Sequence, residues 1–196
     1  WWAPGWDTNL SLTSNARPMP AVSITRKSSE PFRLFFTDYM IPWNVTTFMA
    51  DMGDDRTIEN ALLWGFRFDF MPYKHLELGV TRLAQWAGDG RPDGLSTFWD
   101  VLLGRENCGA DIECTDTNDD PGNQQFGVDA RLSVPMFGSV LGLYGQFFAE
   151  DGSDSSIKFW SKKRNMFGID TTVMLGRVPV LTFLEYTDTF EFCGNG

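Results

Sequence analysis

Residues 58–86 carry the plainest hydrophobic pattern in the chain. Leu62, Trp64, Phe66, Phe68 and Phe70 alternate with Leu63, Gly65, Arg67, Asp69 and Met71. One side of the segment is therefore bulky and apolar, and the other mixes small, charged and a few apolar groups. Period two marks a β-strand, because successive side chains leave opposite faces. Pro72-Tyr73-Lys74 predicts a turn, after which Leu76, Leu78, Val80, Ala84 and Trp86 continue an apolar face against Glu77, Gly79, Thr81 and Gln85. Arg82 interrupts that face. A bulge near Thr81 would turn it to the polar side, and a snorkelling side chain would leave it in place. Four more strands are predicted, at 124–134, 139–150, 166–176 and 179–189. Their apolar faces are led by Phe126 and Val128, Leu141 and Leu143, Phe167 and Ile169, and Val180 and Leu184. The earlier chain is less regular and predicts strands near 6–13, 20–27 and 43–52, with a weaker one at 32–38.

The connections say more than the strands. Pro72–Lys74, Pro135–Gly138 and Arg177-Val178 are short, whereas Ala87–Asn123 and Asp151–Arg164 are long, and short and long ends alternate. Bacterial outer-membrane barrels alternate in this way, with short periplasmic turns and long extracellular loops. The strands also reach or exceed the ~9–11 residues that cross a bilayer at a tilt. A soluble β-sandwich or a lipocalin-like barrel would bury the apolar face and expose the polar one. Against that, all five lysines (Lys27, Lys74, Lys158, Lys162, Lys163) fall outside the later predicted strands, and Phe70, Tyr73, Trp86, Phe137 and Tyr186 lie near strand ends as interfacial girdles do. The expected fold is all-β, a segment of a large antiparallel transmembrane β-barrel. Within the first long connection, Leu95–Gly104 reads as a short extracellular helix ended by its glycine.

Charge and composition narrow the function. Lys plus Arg is 16 and Asp plus Glu is 26, so the net charge is −10 and the pI about 4.5. Nucleic acid is excluded as an expected partner, since phosphate binding needs a basic surface. The 29 Phe, Trp and Tyr residues (17 + 8 + 4) exclude disorder. The longest apolar candidate, 136–149, is too short for a membrane helix and carries Ser139 and Gln146. The chain begins Trp1-Trp2 without Met and holds three cysteines, which reads as an internal part of one barrel domain spanning 1–196 and truncated at both ends.

Candidate chemistry is sparse. A single histidine, His75, excludes a His-based triad or zinc site within this segment. Asp116-Thr117-Asn118-Asp119-Asp120 begins like a calcium loop, but Pro121 stands where the turn glycine belongs and Gly127 where the bidentate Glu belongs, so no metal is expected. Cys108 and Cys114 predict a disulfide clamping the long acidic connection, with Cys193 left to pair elsewhere. The polar face gathers Arg67, Asp69, Glu77, Asp129, Arg131, Gln146, Glu150, Asp170 and Glu185. A glycosidase-like carboxylate pair could be drawn from these, but regular spacing favours a hydrated lumen with ion-pair ladders.

Several stretches resemble the capsule assembly protein Wzi family: Trp1-Trp2-Ala3-Pro4-Gly5-Trp6-Asp7 with Asn15-Ala16-Arg17-Pro18, Leu83–Pro92 with Phe98-Trp99-Asp100, Pro121-Gly122-Asn123-Gln124, and Glu185–Thr189. The cysteine-bearing acidic loop departs from that likeness. The resemblance implies a barrel of an even number of strands, roughly 18 when complete, in the bacterial outer membrane. It also implies a non-enzymatic, lectin-like protein without a cofactor, which holds capsular or exopolysaccharide to the cell amid membrane lipid and lipopolysaccharide. Sugars offer C–H faces that stack on aromatic rings and hydroxyls that pair with amides. The expected contacts are accordingly Phe98, Trp99, Asn123, Gln124 and Trp160, with Lys162, Lys163 and Arg164 facing acidic sugars. The Trp residues would alternatively anchor the loops or join the girdle. A passive porin and a membrane-embedded hydrolase are the rival functions.

Overall fold

The computed structural model describes residues 2–12, 18–28, 30–33, 38–103, 122–136, 138–150 and 163–189. Its strands are β1 (Ala21–Thr25), β2 (Phe32–Arg33), β3 (Met40–Ile41), β4 (Trp43–Asp51), β5 (Leu62–Tyr73), β6 (Leu76–Trp86), β7 (Gly122–Met136), β8 (Ser139–Glu150), β9 (Lys163–Leu175) and β10 (Val178–Asp188). One helix, α1 (Leu95–Leu103), follows β6. Eight strands form one sheet in the order β1-β4-β5-β6-β7-β8-β9-β10, and β2 pairs with β3 apart from it. Every pairing is antiparallel, so the later chain is an up-and-down meander.

The register fixes the faces. Phe66 pairs with Arg82, Arg82 with Phe126, Phe126 with Ala149 and Ala149 with Lys163. These residues share one face with Trp64, Phe68, Val80, Val128, Leu143, Phe167, Ile169 and Leu184. Its apolar groups stay open: Phe167 is 61% and Leu184 71% exposed. The opposite face holds Arg67, Asp129, Gln146 and Asp170, all buried. This inside-out arrangement, polar groups covered and apolar groups open, is what a lipid-facing barrel wall requires. The face opposite the open one also carries Leu63, Leu83, Phe48 and Phe148, and it packs as a core with Leu10, Tyr144 and Met166. The inner face is therefore less uniformly polar than the sequence pattern suggests.

Several boundaries depart from expectation. Residues 6–12 form no strand; they run across the inner face, as described below. β5 continues through Tyr73, with its register shifting between Phe70 and Tyr73. Pro72 is tolerated there because a bulge leaves no ladder bond for its missing N–H. β6 has no register break at Thr81, so Arg82 keeps its place on the outer face. β9 starts at Lys163, earlier than predicted, which puts Lys163 and Arg164 in a strand end. β2 takes up Phe32–Arg33 of the weak 32–38 strand, and residues 34–37 of that expectation lie outside the described residues.

Candidate functional site

Three bridges organise the inner face, each spanning a strand. Arg67 on β5 reaches Asp129 on β7 through paired bonds, Nη1 to Oδ2 at 2.7 Å and Nη2 to Oδ1 at 3.0 Å. Arg131 on β7 reaches Asp170 on β9, Nη2 to Oδ2 at 2.7 Å. Tyr144 on β8 donates its hydroxyl to Glu185 Oε1 on β10 at 2.8 Å. Each bridge passes over a glycine of the intervening strand. A Cβ on Gly79 would sit 2.6 Å from Asp129 Oδ1, one on Gly142 would sit 2.9 Å from Asp170 Cγ, and one on Gly168 would fall on the Tyr144 ring. The glycines of the polar face thus make room for long side chains to cross two strand spacings, about 10 Å.

Residues 2–12 lie on these bridges as a strap. Glu185 accepts the backbone N–H of Trp6 at 2.6 Å and of Thr8 at 2.8 Å. The Trp6 indole donates to Asp170 Oδ2 at 2.7 Å, the Leu10 N–H to Gln146 Oε1 at 2.8 Å, and Arg67 donates to the Trp2 carbonyl at 3.0 Å. Among the described residues the strap has no ladder partner, and inner-face side chains satisfy its backbone instead. Gly5 passes so close that a Cβ there would lie 2.9 Å from Met166 Cε. Trp2 meets Phe48 edge-on at 5.1 Å, and Leu10 joins the buried cluster. Sequence reasoning missed the strap because Leu10 and Leu12 mimic an alternating strand. The Pro4-Gly5 turn pair between two tryptophans is the signal that argued otherwise.

The other assembly lies on the outer face, at the end of the sheet bearing the long connections. Helix α1 packs Val101 and Phe98 over Ala84, Trp86 and Ala87, with Trp64 and Leu62 alongside. Phe98 meets Trp64 edge-on at 6.1 Å and tilts over Trp86 at 5.1 Å. Arg82 donates to the carbonyls of Leu102 and Val101, each at 2.7 Å, and to Gln124 Oε1 through Nε at 2.6 Å. Gln124 in turn donates to the Val101 carbonyl at 2.7 Å. A charge on a lipid-facing wall is explained here without a bulge: the guanidinium caps the negative end of a helix whose own last turn has no basic residue.

The expected sugar contacts are thereby distributed. Phe98 and Gln124 seat α1. Trp99 is on the helix but faces away from the sheet, 62% exposed. Asn123 is exposed at the start of β7, opposite Gln85, and Lys163 and Arg164 begin β9. Trp160 and Lys162 lie outside the described residues, as do Cys108, Cys114, Cys193 and the acidic run 116–120. Of the expected lumen set, Arg67, Asp129, Arg131, Gln146, Asp170 and Glu185 come together beneath the strap. Asp69 touches Arg67 at 2.6 Å, Glu77 is exposed at the short-turn end, and Glu150 pairs with Gln125 in the β7–β8 register. Among the described residues no group of three or more metal-ligating side chains converges.

Residues 1–194 match the capsule assembly protein Wzi family. An uncharacterized 55.8 kDa protein in the cps region of Klebsiella pneumoniae is 32% identical over 192 residues, which cover 96% of this chain and 36% of that protein. Among solved structures, Wzi of Escherichia coli, an outer membrane protein involved in group 1 capsule assembly and a carbohydrate-binding β-barrel, is similar with a TM-score of 0.75 at 29% identity. That match covers 96% of this chain and 38% of the other. The chain thus spans little more than a third of the length of these relatives. The eight-stranded sheet, open and apolar outside and strapped inside, is part of an outer-membrane β-barrel wall, and the chain belongs to the capsule assembly protein Wzi family.

Proposed function

We propose that this chain serves as part of a lectin-like protein that binds and anchors capsular or exopolysaccharide at the cell surface without cleaving it. The observation that carries this reading is the match over 1–194 to a capsule assembly family, with a carbohydrate-binding barrel as structural relative. Two features of the inner face support it over its rivals. Three of the carboxylates a hydrolase could draw on are committed: Asp129 to Arg67, Asp170 to Arg131 and Trp6, Glu185 to strap amides and Tyr144. The strap also covers the face that a porin would leave lining water.

Polysaccharide is then met at the extracellular end, by the connections after β6 and β8. Asn123, Trp160 and the Lys162-Lys163-Arg164 cluster are its proposed contacts, an aromatic platform beside cations suited to acidic sugars. The test is retention of purified capsular polysaccharide by the full-length protein, compared with Trp160→Ala and with a Lys162→Ala, Lys163→Ala, Arg164→Ala variant. Weaker retention by folded variants is the expected result. Undiminished retention would remove these residues from the site, and release of shortened sugar by the wild type would put a hydrolase in place of the lectin.

A further inference from the structure

Helix α1 has more apolar surface than its contact with the sheet uses. At about 100° per residue, Val101 and Phe98 point to the sheet, and the apolar arc continues through Leu102 to Leu95, Trp99 and Leu103. Ser96, Asp100 and Thr97 fill the remaining arc. Leu95, Trp99 and Leu103 recur every four residues and are 81%, 62% and 61% exposed, while Val101 is fully buried. A helix that only covered the sheet would present polar groups at those three positions. The stripe is continuous with the barrel's own lipid-facing belt, since the residues beneath α1 (Trp64, Ala84, Trp86) stand on the face that carries Phe66, Phe68 and Val80. Arg82 and Gln124 hold the helix at the margin of that belt where the long connections leave the sheet.

We propose that α1 is an interfacial helix that rests on the outside of the barrel and inserts Leu95, Trp99 and Leu103 into the outer leaflet of the membrane, with Ser96 and Asp100 toward the headgroups. An apolar arc toward acyl chains that includes an amphipathic Trp, and a polar arc away from them, are the features of a helix lying in the interface plane. Arg82 is the positioning residue. Its guanidinium is satisfied by helix carbonyls and Gln124, so a cation can stand at the belt's edge without facing lipid. The connection after β6 is thereby tethered to the bilayer through α1.

The proposal is independent of sugar binding, and its test separates the two. Full-length protein and its Trp99→Phe variant are placed in nanodiscs of ordinary phospholipid and of phospholipid brominated along the acyl chains. The difference between their emission spectra isolates Trp99. The expected component is blue-shifted, lost in the brominated bilayer, and insensitive to aqueous iodide. A Leu95→Asp, Leu103→Asp variant should red-shift that component and restore iodide quenching, whereas Ser96→Asp should leave it unchanged. Retention of polysaccharide by Trp99→Phe should match wild type. A component quenched by iodide and not by bromine would overturn the proposal. So would a component that shifts on adding polysaccharide, which would assign Trp99 to the sugar, or one that depends on protein concentration, which would assign the stripe to a second copy.

Discussion

Arg67 is the most demanding group on the inner face, and replacing it tests the bridge architecture directly. Arg67 is 5% exposed and Asp129 9%. Arg67 serves Asp129 twice, Thr81 Oγ1 at 2.9 Å, the Trp2 carbonyl at 3.0 Å and Asp69 at 2.6 Å. In Arg67→Ala two carboxylates are left facing each other, one of them buried, with no cation between them. Removing one partner of a buried pair costs about 3–5 kcal/mol. Asp129→Ala is milder, because Arg67 keeps Asp69. The lost charge-assisted bonds are then worth about 1.5–3 kcal/mol. Asp69, with a side chain 37% exposed, contributes about 0–1 kcal/mol. The expected order is Arg67→Ala, then Asp129→Ala, then Asp69→Ala, read from reversible urea unfolding of the full-length protein in phospholipid vesicles. The Arg67→Met, Asp129→Leu double variant should recover most of the loss, since the carboxylate left without its cation, Asp69, is 37% exposed and no buried charge stays unpaired. If Arg67→Ala cost no more than Asp69→Ala, the bridge would be a hydrated contact and the filled inner face would be wrong.

Phe66→Arg should cost about 2–4 kcal/mol in the same assay, because it puts a charge on the lipid face near mid-strand; a neutral result would turn the sheet inside out. Gly79→Ala should cost about 1–3 kcal/mol by overpacking, since its Cβ would displace the Arg67–Asp129 bridge, and the loss should shrink in the Arg67→Met, Asp129→Leu background. Cys108 and Cys114 are expected to be joined, so intact-mass measurement without reduction should show neither thiol open to alkylation in the native protein; two alkylated thiols would refute the clamp.

The late strands were legible because their two faces meet different surroundings. Phe167 and Ile169 face lipid while Gly168 and Asp170 face the strap, and that difference is written as period two. Edges were less legible: Pro72 and Pro135 look like turn residues, yet both stand inside strands, where a bulge or an end position excuses the missing donor. The strap was legible only in the Pro4-Gly5 pair, which argues against a strand but does not say what the segment packs on. Its backbone is satisfied by Gln146 and Glu185, residues more than 130 positions away, and no local pattern announces such a partner. Helix α1 was recognised, but its placement was hidden in two side chains of other strands. Arg82 and Gln124 look like faults in an apolar face until the carbonyls of Val101 and Leu102 are set against them.

The distribution of charge bears on where a polysaccharide can be held. These 196 residues carry a net charge of −10, which repels an acidic polymer at long range. At physiological salt that repulsion fades beyond about 8 Å, so attraction has to be local and built from cations at the end of the sheet that meets the polymer. Arg67 and Arg131 are turned to Asp129 and Asp170 beneath the strap, and Arg82 is turned to α1. Of the basic run, Lys163 and Arg164 stand at the entry to β9, on the end of the sheet where the long connections leave it, and Lys162 precedes them in the sequence. If that run is the electrostatic contact, retention of an acidic polysaccharide should fall steeply with added salt, and the alanine variant of the run should flatten the dependence. Retention of a neutral polysaccharide should respond to neither, because stacking on an aromatic ring carries no net charge to screen. An acidic polymer held equally at low and high salt would move the contact from the cations to the aromatic and amide groups around them.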